Sequence, residues 1–212
     1  MAGIAVFDFD GTVIRGDSVV ALLFFARKRG ALSLGGLLQA ALAGAAYRLG
    51  CTDALTAKQK SHAFLAALPA KEREKLLRDF ARSLADRAYP PALRQIEAHR
   101  AAGDKVVLCS ASCFCYMQYA APLLHADALL CTPSEPEGRA LGPNCRGEEK
   151  ARRLRSWMQE NGFPADAICA AYGDTRDDAP ILRMSRHPVL VNARRELRKA
   201  MPDAEQVVWN EK

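Results

Sequence analysis

The sequence predicts an α/β fold with a mostly parallel sheet and a helical insertion, and three observations carry that expectation. Four short apolar runs, residues 4–9, 106–109, 167–172 and 188–191, have the length and near-continuous hydrophobicity of strands buried on both faces. Three of them end in small or polar residues: Asp8-Phe9-Asp10-Gly11, Ser110-Ala111-Ser112 and Gly173-Asp174-Thr175. Open α/β sheets place their chemistry there, at the carboxyl ends of strands. The third observation is a gap. About ninety residues separate the first run from the second, far beyond the dozen or so that a crossover between parallel strands requires.

Taken in order, residues 4–9 are the first strand. The long gap then reads as a helical module over residues 17–89, with apolar periodicity in 18–29, 32–49, 57–68 and 72–88. The flanking segments, 1–16 and 90–212, form the α/β core. Within the core, residues 93–102 read as a helix following Pro90-Pro91, 106–109 as the second strand and 115–121 as a helix. Residues 123–131 hold a further short strand. The stretch 133–145, with Gly138 and Gly142, reads as a turn-rich hairpin or loop. Helices are expected at 148–161, 180–184 and 196–200, with an edge strand at 205–209.

Residues 32–47 are strongly apolar and flanked by Lys28, Arg29 and Arg48. At about 16 residues the run is shorter than the roughly 20 that span a bilayer. It predicts a helix buried within the insertion; the alternative is an interfacial helix giving peripheral contact with a membrane or lipid.

The 212 residues include 30 Lys and Arg against 24 Asp and Glu, a formal charge of +6. That balance favours anionic partners without choosing among phosphate esters, nucleic acid and acidic lipid. No helix-turn-helix cue, zinc-finger spacing or aromatic–basic strand pattern accompanies it, so no nucleic-acid partner is expected. The seven cysteines contain no Cys-x-x-Cys pair, and Cys109 and Cys169 read as small core residues. The opening strand, which already contains an aspartate, is not a signal peptide. The expected compartment is reducing and cytoplasmic, with the inner membrane face as the variant that the 32–47 run allows.

Asp8 and Asp10 are two apart at a strand end, so both can approach one cation while Phe9 points away. Two close carboxylates repel unless a cation or proton lies between them. Mg²⁺ prefers oxygen ligands and bridges carboxylates to phosphate. Gly11 allows a tight turn that offers backbone N–H groups to phosphoryl oxygens. Alone, such a pair is equally an Asx-turn closing a strand. Its company favours chemistry: Ser110 after the second strand, Lys150 after Gly147-Glu148-Glu149, and Gly173-Asp174-Thr175-Arg176-Asp177-Asp178 after the third. Lys150 also has a plainer reading as part of a solvated basic helix face, with Arg146, Arg152, Arg153 and Arg155 nearby.

In order and spacing these four segments resemble haloacid dehalogenase superfamily phosphatases with a helical cap (subclass IB), such as phosphoserine phosphatases and the phosphatidylglycerophosphatase C group. The resemblance covers essentially the whole chain. It implies a Rossmann-like core of the haloacid dehalogenase type and a Mg²⁺-dependent phosphomonoester hydrolase working through an aspartyl-phosphate. It makes Asp8 the nucleophile and Asp10 the acid and base. Phosphate would be held by Asp8, Gly11, Ser110, Ala111 and Lys150. The metal would be held by Asp8, the backbone carbonyl of Asp10 and Asp174, with Asp178 orienting waters or Lys150. Asp17 matches the place where phosphoserine phosphatases carry a glutamate for the substrate amine; Arg48 and Lys60 are candidate anion contacts. A small phosphorylated metabolite is the expected substrate. The alternatives are a phosphatidylglycerophosphatase-type lipid phosphatase, phosphoserine phosphatase, and a non-catalytic nucleic-acid- or metal-binding module.

Overall fold

The computed structural model describes residues 3–209. Six parallel strands form one sheet in the order β3-β2-β1-β4-β5-β6: β1 (Ile4–Phe7), β2 (Lys105–Cys113), β3 (Ala128–Thr132), β4 (Ile168–Gly173), β5 (His187–Val191) and β6 (Glu205–Val207). β1 pairs with β2 on one side and β4 on the other. From β1 the chain builds outward first one way and then the other, so a crevice opens at the carboxyl ends of β1, β2 and β4. Side chains of β1 alternate between two apolar clusters, Ala5 and Phe7 on one face and Ile4 and Val6 on the other. A strand buried on both faces has no room for a polar residue, which is why it reads as an unbroken apolar run.

Between β1 and β2 lie α1 (Ser18–Lys28), α2 (Leu34–Arg48), α3 (Ala54–His62), a 3-10 turn (Ala63–Ala67) and α4 (Ala70–Ala85). Three of these helices begin with a side-chain cap: Asp17, Ser33 and Asp53 accept from the backbone N–H of Val19 and Val20, Gly36, and Thr56 respectively. The periodic run at 57–68 is thus split, helix to His62 and 3-10 beyond it.

The insertion leaves and rejoins the core along one seam. Ile14 bridges Ala88, Tyr89 N–H donates to the Val13 carbonyl at 2.9 Å, and Arg15 N–H donates to the Arg87 carbonyl at 3.0 Å. Over the sheet, α4 packs on α6 (Phe114–Leu123), with Phe80 and Tyr116 edge-to-face at 5.4 Å.

Helix α2 departs from the buried helix expected for 32–47. Ala40 and Ala43 are its buried residues, whereas Leu34, Leu38 and Leu42 are 69%, 60% and 61% exposed. Ala40 and Ala43 face inward with Leu37 partly buried beside them, and Leu34, Leu38 and Leu42, four apart, form an outward stripe. No helix among the described residues is long and apolar enough to cross a membrane.

The remaining connections are α5 (Pro90–Ala101), α6, α7 (Glu148–Glu160), the short α8 (Ala179–Leu182) and α9 (Arg195–Ala200). α5 begins at Pro90 itself, since proline suits the first helical positions, where its missing N–H costs nothing. Strand β2 runs to Cys113, past the expected end at Cys109, with an irregularity in its pairing with β3 after Ser110. Within 133–145, Ser134 bridges Ala140 as a small hairpin.

Candidate active site

Asp8 directly follows β1 and is buried, its N–H donating to the Tyr172 carbonyl at 2.9 Å. Lys150, in the first turn of α7, places Nζ 2.5 Å from Asp8 Oδ1 and 2.6 Å from Asp178 Oδ1. Its amine is as buried as the carboxylates, so the helix turns Lys150 inward; Arg152 and Arg153 instead pair with Glu149 on the outer side. Burial alone would neutralise this amine, but Asp178 and Asp8 hold its pKa well above the ordinary lysine value.

The second oxygen of Asp178 accepts from Thr175 N–H and Thr175 Oγ, both at 2.9 Å, and from Asp174 N–H at 3.3 Å. Both oxygens are therefore engaged in positioning Lys150 and the loop. Gly173 makes this fold-back possible, since a Cβ there would lie 2.5 Å from Asp178 Cβ. Gly11 has φ +84°, and a Cβ on it would lie 2.5 Å from Asp174 Oδ2. The glycine lets the loop after β1 press against the Asp174 carboxylate.

Asp174 Oδ1 is buried without a hydrogen-bond partner. Burial and the nearby Asp178 raise the Asp174 pKa to about 7, and burial and Asp178 push Asp8 well above the usual carboxylate range despite Lys150. Oxygens of Asp8, Asp174 and Asp178 lie within 4.8 Å of one another. An unpartnered oxygen on one of three clustered carboxylates, an all-oxygen donor set, fits a hard divalent cation such as Mg²⁺. Asp8 and Asp174 would hold it, since Asp178 is already engaged. The Asp10 carboxylate lies outside this cluster, which leaves its backbone carbonyl as the group the sequence assigned to metal.

That carboxylate turns toward the insertion. Oδ1 accepts from Ser18 N–H at 2.6 Å; Oδ2 accepts from Ser112 Oγ at 2.6 Å and from Ser18 Oγ at 3.1 Å. Tyr116 OH lies 2.9 Å from Ser18 Oγ. Burial and the charge of Asp17 raise the Asp10 pKa to about 6, while the bonds from Ser112 and Ser18 pull it down. A carboxyl group titrating there can both give and take a proton near neutral pH.

Ser110 is buried in β2, its Oγ accepting from Ser112 N–H at 3.0 Å, and Ala111 follows it at the mouth of the crevice. The Ala111 carbonyl accepts from Thr132 Oγ at 2.7 Å and from Lys58 Nζ, which also donates to Asn144 Oδ1. Lys58 thus reaches from α3 into the core. Lys60 and Arg48, the residues chosen from sequence, are exposed on the insertion, and the structure does not bring them to the cluster. Asp17 is exposed at the head of α1; its Oδ1 caps that helix, and its charge reaches Asp10 and Lys58.

Sequence reasoning missed Ser18, Ser112, Tyr116 and Lys58. The available signal for Ser112 was its place two residues beyond Ser110; Ser18 directly follows Asp17 at a helix start.

A parallel core whose switch point gathers an aspartate cluster around a buried lysine, beneath an inserted helical cap, defines the class of hydrolases that resemble phosphoserine phosphatase in fold. Residues 5–183 match the model of the haloacid dehalogenase-like hydrolases, and the chain belongs to that family. It is 28% identical to a histidinol-phosphatase of Neisseria meningitidis, over 99% of this chain and 97% of that one. A protein of unknown function from Bordetella pertussis superposes with TM-score 0.87 at 22% identity, covering 98% of each chain. A probable phosphoserine phosphatase from Vibrio cholerae gives 0.74 at 19% identity, over 98% of this chain and 60% of that one.

Proposed function

We propose that the chain is a Mg²⁺-dependent phosphomonoesterase that works through a phosphorylated Asp8, with residues 17–89 as the cap that meets the leaving alcohol. The observation that carries this reading is Lys150 clamped between Asp8 and Asp178 beside the unpartnered Oδ1 of Asp174. Bound there, Mg²⁺ would neutralise phosphoryl oxygens and lower the repulsion between an anionic nucleophile and an anionic ester. Asp8 attacks phosphorus as the bond to the leaving oxygen breaks, and the carboxyl proton of Asp10 passes to that oxygen. Asp10, now ionised, takes a proton from water as water attacks the acyl phosphate, which releases phosphate and restores Asp8. Lys150 holds the Asp8 carboxylate in place and faces the transferring group with fixed positive charge. Ser110 Oγ, the N–H of Ala111 and the turn at Gly11 supply donors to phosphoryl oxygens.

For the alcohol, Asp17 supports an amine-bearing substrate, because it adds negative charge at the cap side of Asp10. The relative named histidinol-phosphatase acts on a phosphorylated amino alcohol, and phosphoserine belongs to the same chemical class. Phosphate release with Mg²⁺ from histidinol phosphate, phosphoserine, a sugar phosphate, a nucleoside phosphate and phosphatidylglycerol phosphate tests this choice. Preference for the two amines should disappear in Asp17→Asn; equal turnover of all five by the native protein would overturn the amine assignment.

A lipid-facing reading is supported by the Leu34, Leu38 and Leu42 stripe together with Phe24, 62% exposed, and the neighbouring Arg27, Lys28 and Arg48. Such a surface suits peripheral contact with an anionic membrane from the cytoplasmic side. Sedimentation with anionic vesicles should pull down the native chain and leave Leu38→Glu in solution; equal behaviour of the two would remove this reading.

A further inference from the structure

At the opposite edge of the sheet, the amino ends of β1, β2 and β4 gather a second cluster that phosphoryl transfer does not use. His99 comes from the last turn of α5, Asp104 from the turn before β2, and Cys169 from the start of β4. His99 Nδ1 lies 2.9 Å from Asp104 Oδ2, Cys169 Sγ lies 3.3 Å from the same oxygen, and Sγ and Nδ1 are 3.9 Å apart. Three donors of different type, nitrogen, oxygen and sulfur, thus converge on one point. Ligands of tetrahedral zinc, at roughly 2.0–2.3 Å from the metal, lie about 3.3–3.6 Å from one another, close to this triangle.

Tyr172 OH lies 2.9 Å from His99 Nε2 and donates to Gln95 Oε1 at 3.4 Å. The hydroxyl is placed to accept from His99 Nε2–H whenever Nδ1 carries a metal. Nδ1 and Asp104 Oδ2 face each other at 2.9 Å, a contact that a proton on Nδ1 fills without metal and that a cation can take over. The outward hydrogen bond from Nε2 is also the arrangement that orients a metal-binding imidazole. The other Asp104 oxygen is fixed by Gly3 N–H at 2.8 Å. A Cβ on Gly3 would lie 2.8 Å from Asp104 Oδ1 and 3.0 Å from Cys169 Sγ, so the chain leaves the cluster just enough room. His99 and Asp104 side chains are 16% and 15% exposed, which opens a path for an ion and for a water as fourth ligand.

We propose that His99, Asp104 and Cys169 form a zinc site at the amino edge of the sheet, separate from the Mg²⁺-binding carboxylates. The mixed donor set suits Zn²⁺ and disfavours Mg²⁺, which takes oxygen. On binding, the Cys169 thiol proton leaves to solvent and sulfur ligates as thiolate; any proton shared by His99 and Asp104 leaves as well. The site joins α5 to the starts of β2 and β4, and its work is to fasten that end of the core. Cys169 is partly buried against the core, as sequence assigned it, with Sγ turned toward Asp104.

The test uses the full chain, stripped of metal, with Mg²⁺ in excess to fill the acidic cluster. Zn²⁺ alone should then be retained at one equivalent after desalting and raise the melting temperature. Co²⁺ should produce near-ultraviolet thiolate-to-cobalt absorption. Cys169→Ser and His99→Gln should each lose the retained zinc and the absorption while hydrolysing an aryl phosphate at the native rate with Mg²⁺; Cys51→Ser, altering an exposed cysteine elsewhere, should keep all three. Absence of the thiolate band in the native protein overturns the proposal. So does its persistence in Cys169→Ser, or zinc retention equal in the native chain and both ligand variants.

Discussion

The two ends of one sheet carry clusters of the same size built from different chemistry. At the carboxyl edge Asp8, Asp174 and Asp178 close on Lys150, an all-oxygen set with one buried cation. At the amino edge His99, Asp104 and Cys169 meet, with nitrogen, oxygen and sulfur each represented once. Both use β4, the first with the end of β1 and the second with the start of β2, so topology places them equally well. Donor type and charge separate their uses: hard oxygens beside a lysine suit phosphate with Mg²⁺, whereas a thiol and an imidazole suit a softer ion.

The largest expected effect lies at the carboxyl edge. Asp8→Asn should remove turnover of an aryl phosphate by about 10⁶-fold, the scale on which a lost nucleophile is felt, with no trapped phosphoenzyme by mass spectrometry; residual activity near the native rate would break the assignment. Asp10→Asn should lower kcat by about 10²- to 10⁴-fold while leaving Mg²⁺ affinity, followed by calorimetry, nearly unchanged.

Acid sensitivity comes next, from the insertion. His62 is fully buried, stacked on Tyr116, and burial lowers its pKa from 6.5 to about 4. Below pH 6.5 the unfolded chain takes up a proton that the folded chain refuses, so stability falls as pH drops from 6.5 towards 4, by about 3 kcal/mol in all. His62→Phe should lose that dependence in urea melts taken at several pH values. An identical acid profile in the variant would place the effect elsewhere.

Ser112→Ala should act more gently. As acid, Asp10 must be protonated, so phosphorylation of Asp8 slows as pH rises through about 6. Ser112 stabilises the ionised form; without it the pKa rises and the alkaline limb of the single-turnover profile moves to higher pH. An unmoved limb would show that Ser112 serves packing alone. His99→Gln, at the far edge, should leave the same profile untouched.

Much of the carboxyl edge was legible because its parts lie at strand ends that composition marks plainly. Asp8, Ser110 and Asp174 each follow an apolar run, and Lys150 follows a glycine and two glutamates at a helix start. The proton network of Asp10 was not, because Ser18 and Tyr116 belong to helices whose facing is set by packing of the insertion on α6. Lys58 escaped notice for a related reason: residues two apart on a helix point to nearly opposite sides, and periodicity in so polar a segment does not say which side meets the core. In α2 the apolar composition concealed that Ala40, Ala43 and Leu37 make the contact while Leu34, Leu38 and Leu42 face outward. The amino-edge cluster left no local trace, since Cys169 stands far along the chain from His99 and Asp104 and none belongs to a ligand-spacing motif.

The seam where residues 13–15 run beside 87–89 has a consequence for descent. Because entry and exit lie side by side, the insertion is in topological terms a long loop on a finished sheet. Its helices can be lengthened, replaced or refaced without changing a single strand neighbour. Selection for a new alcohol can therefore act on the loop while selection for phosphate chemistry holds the sheet.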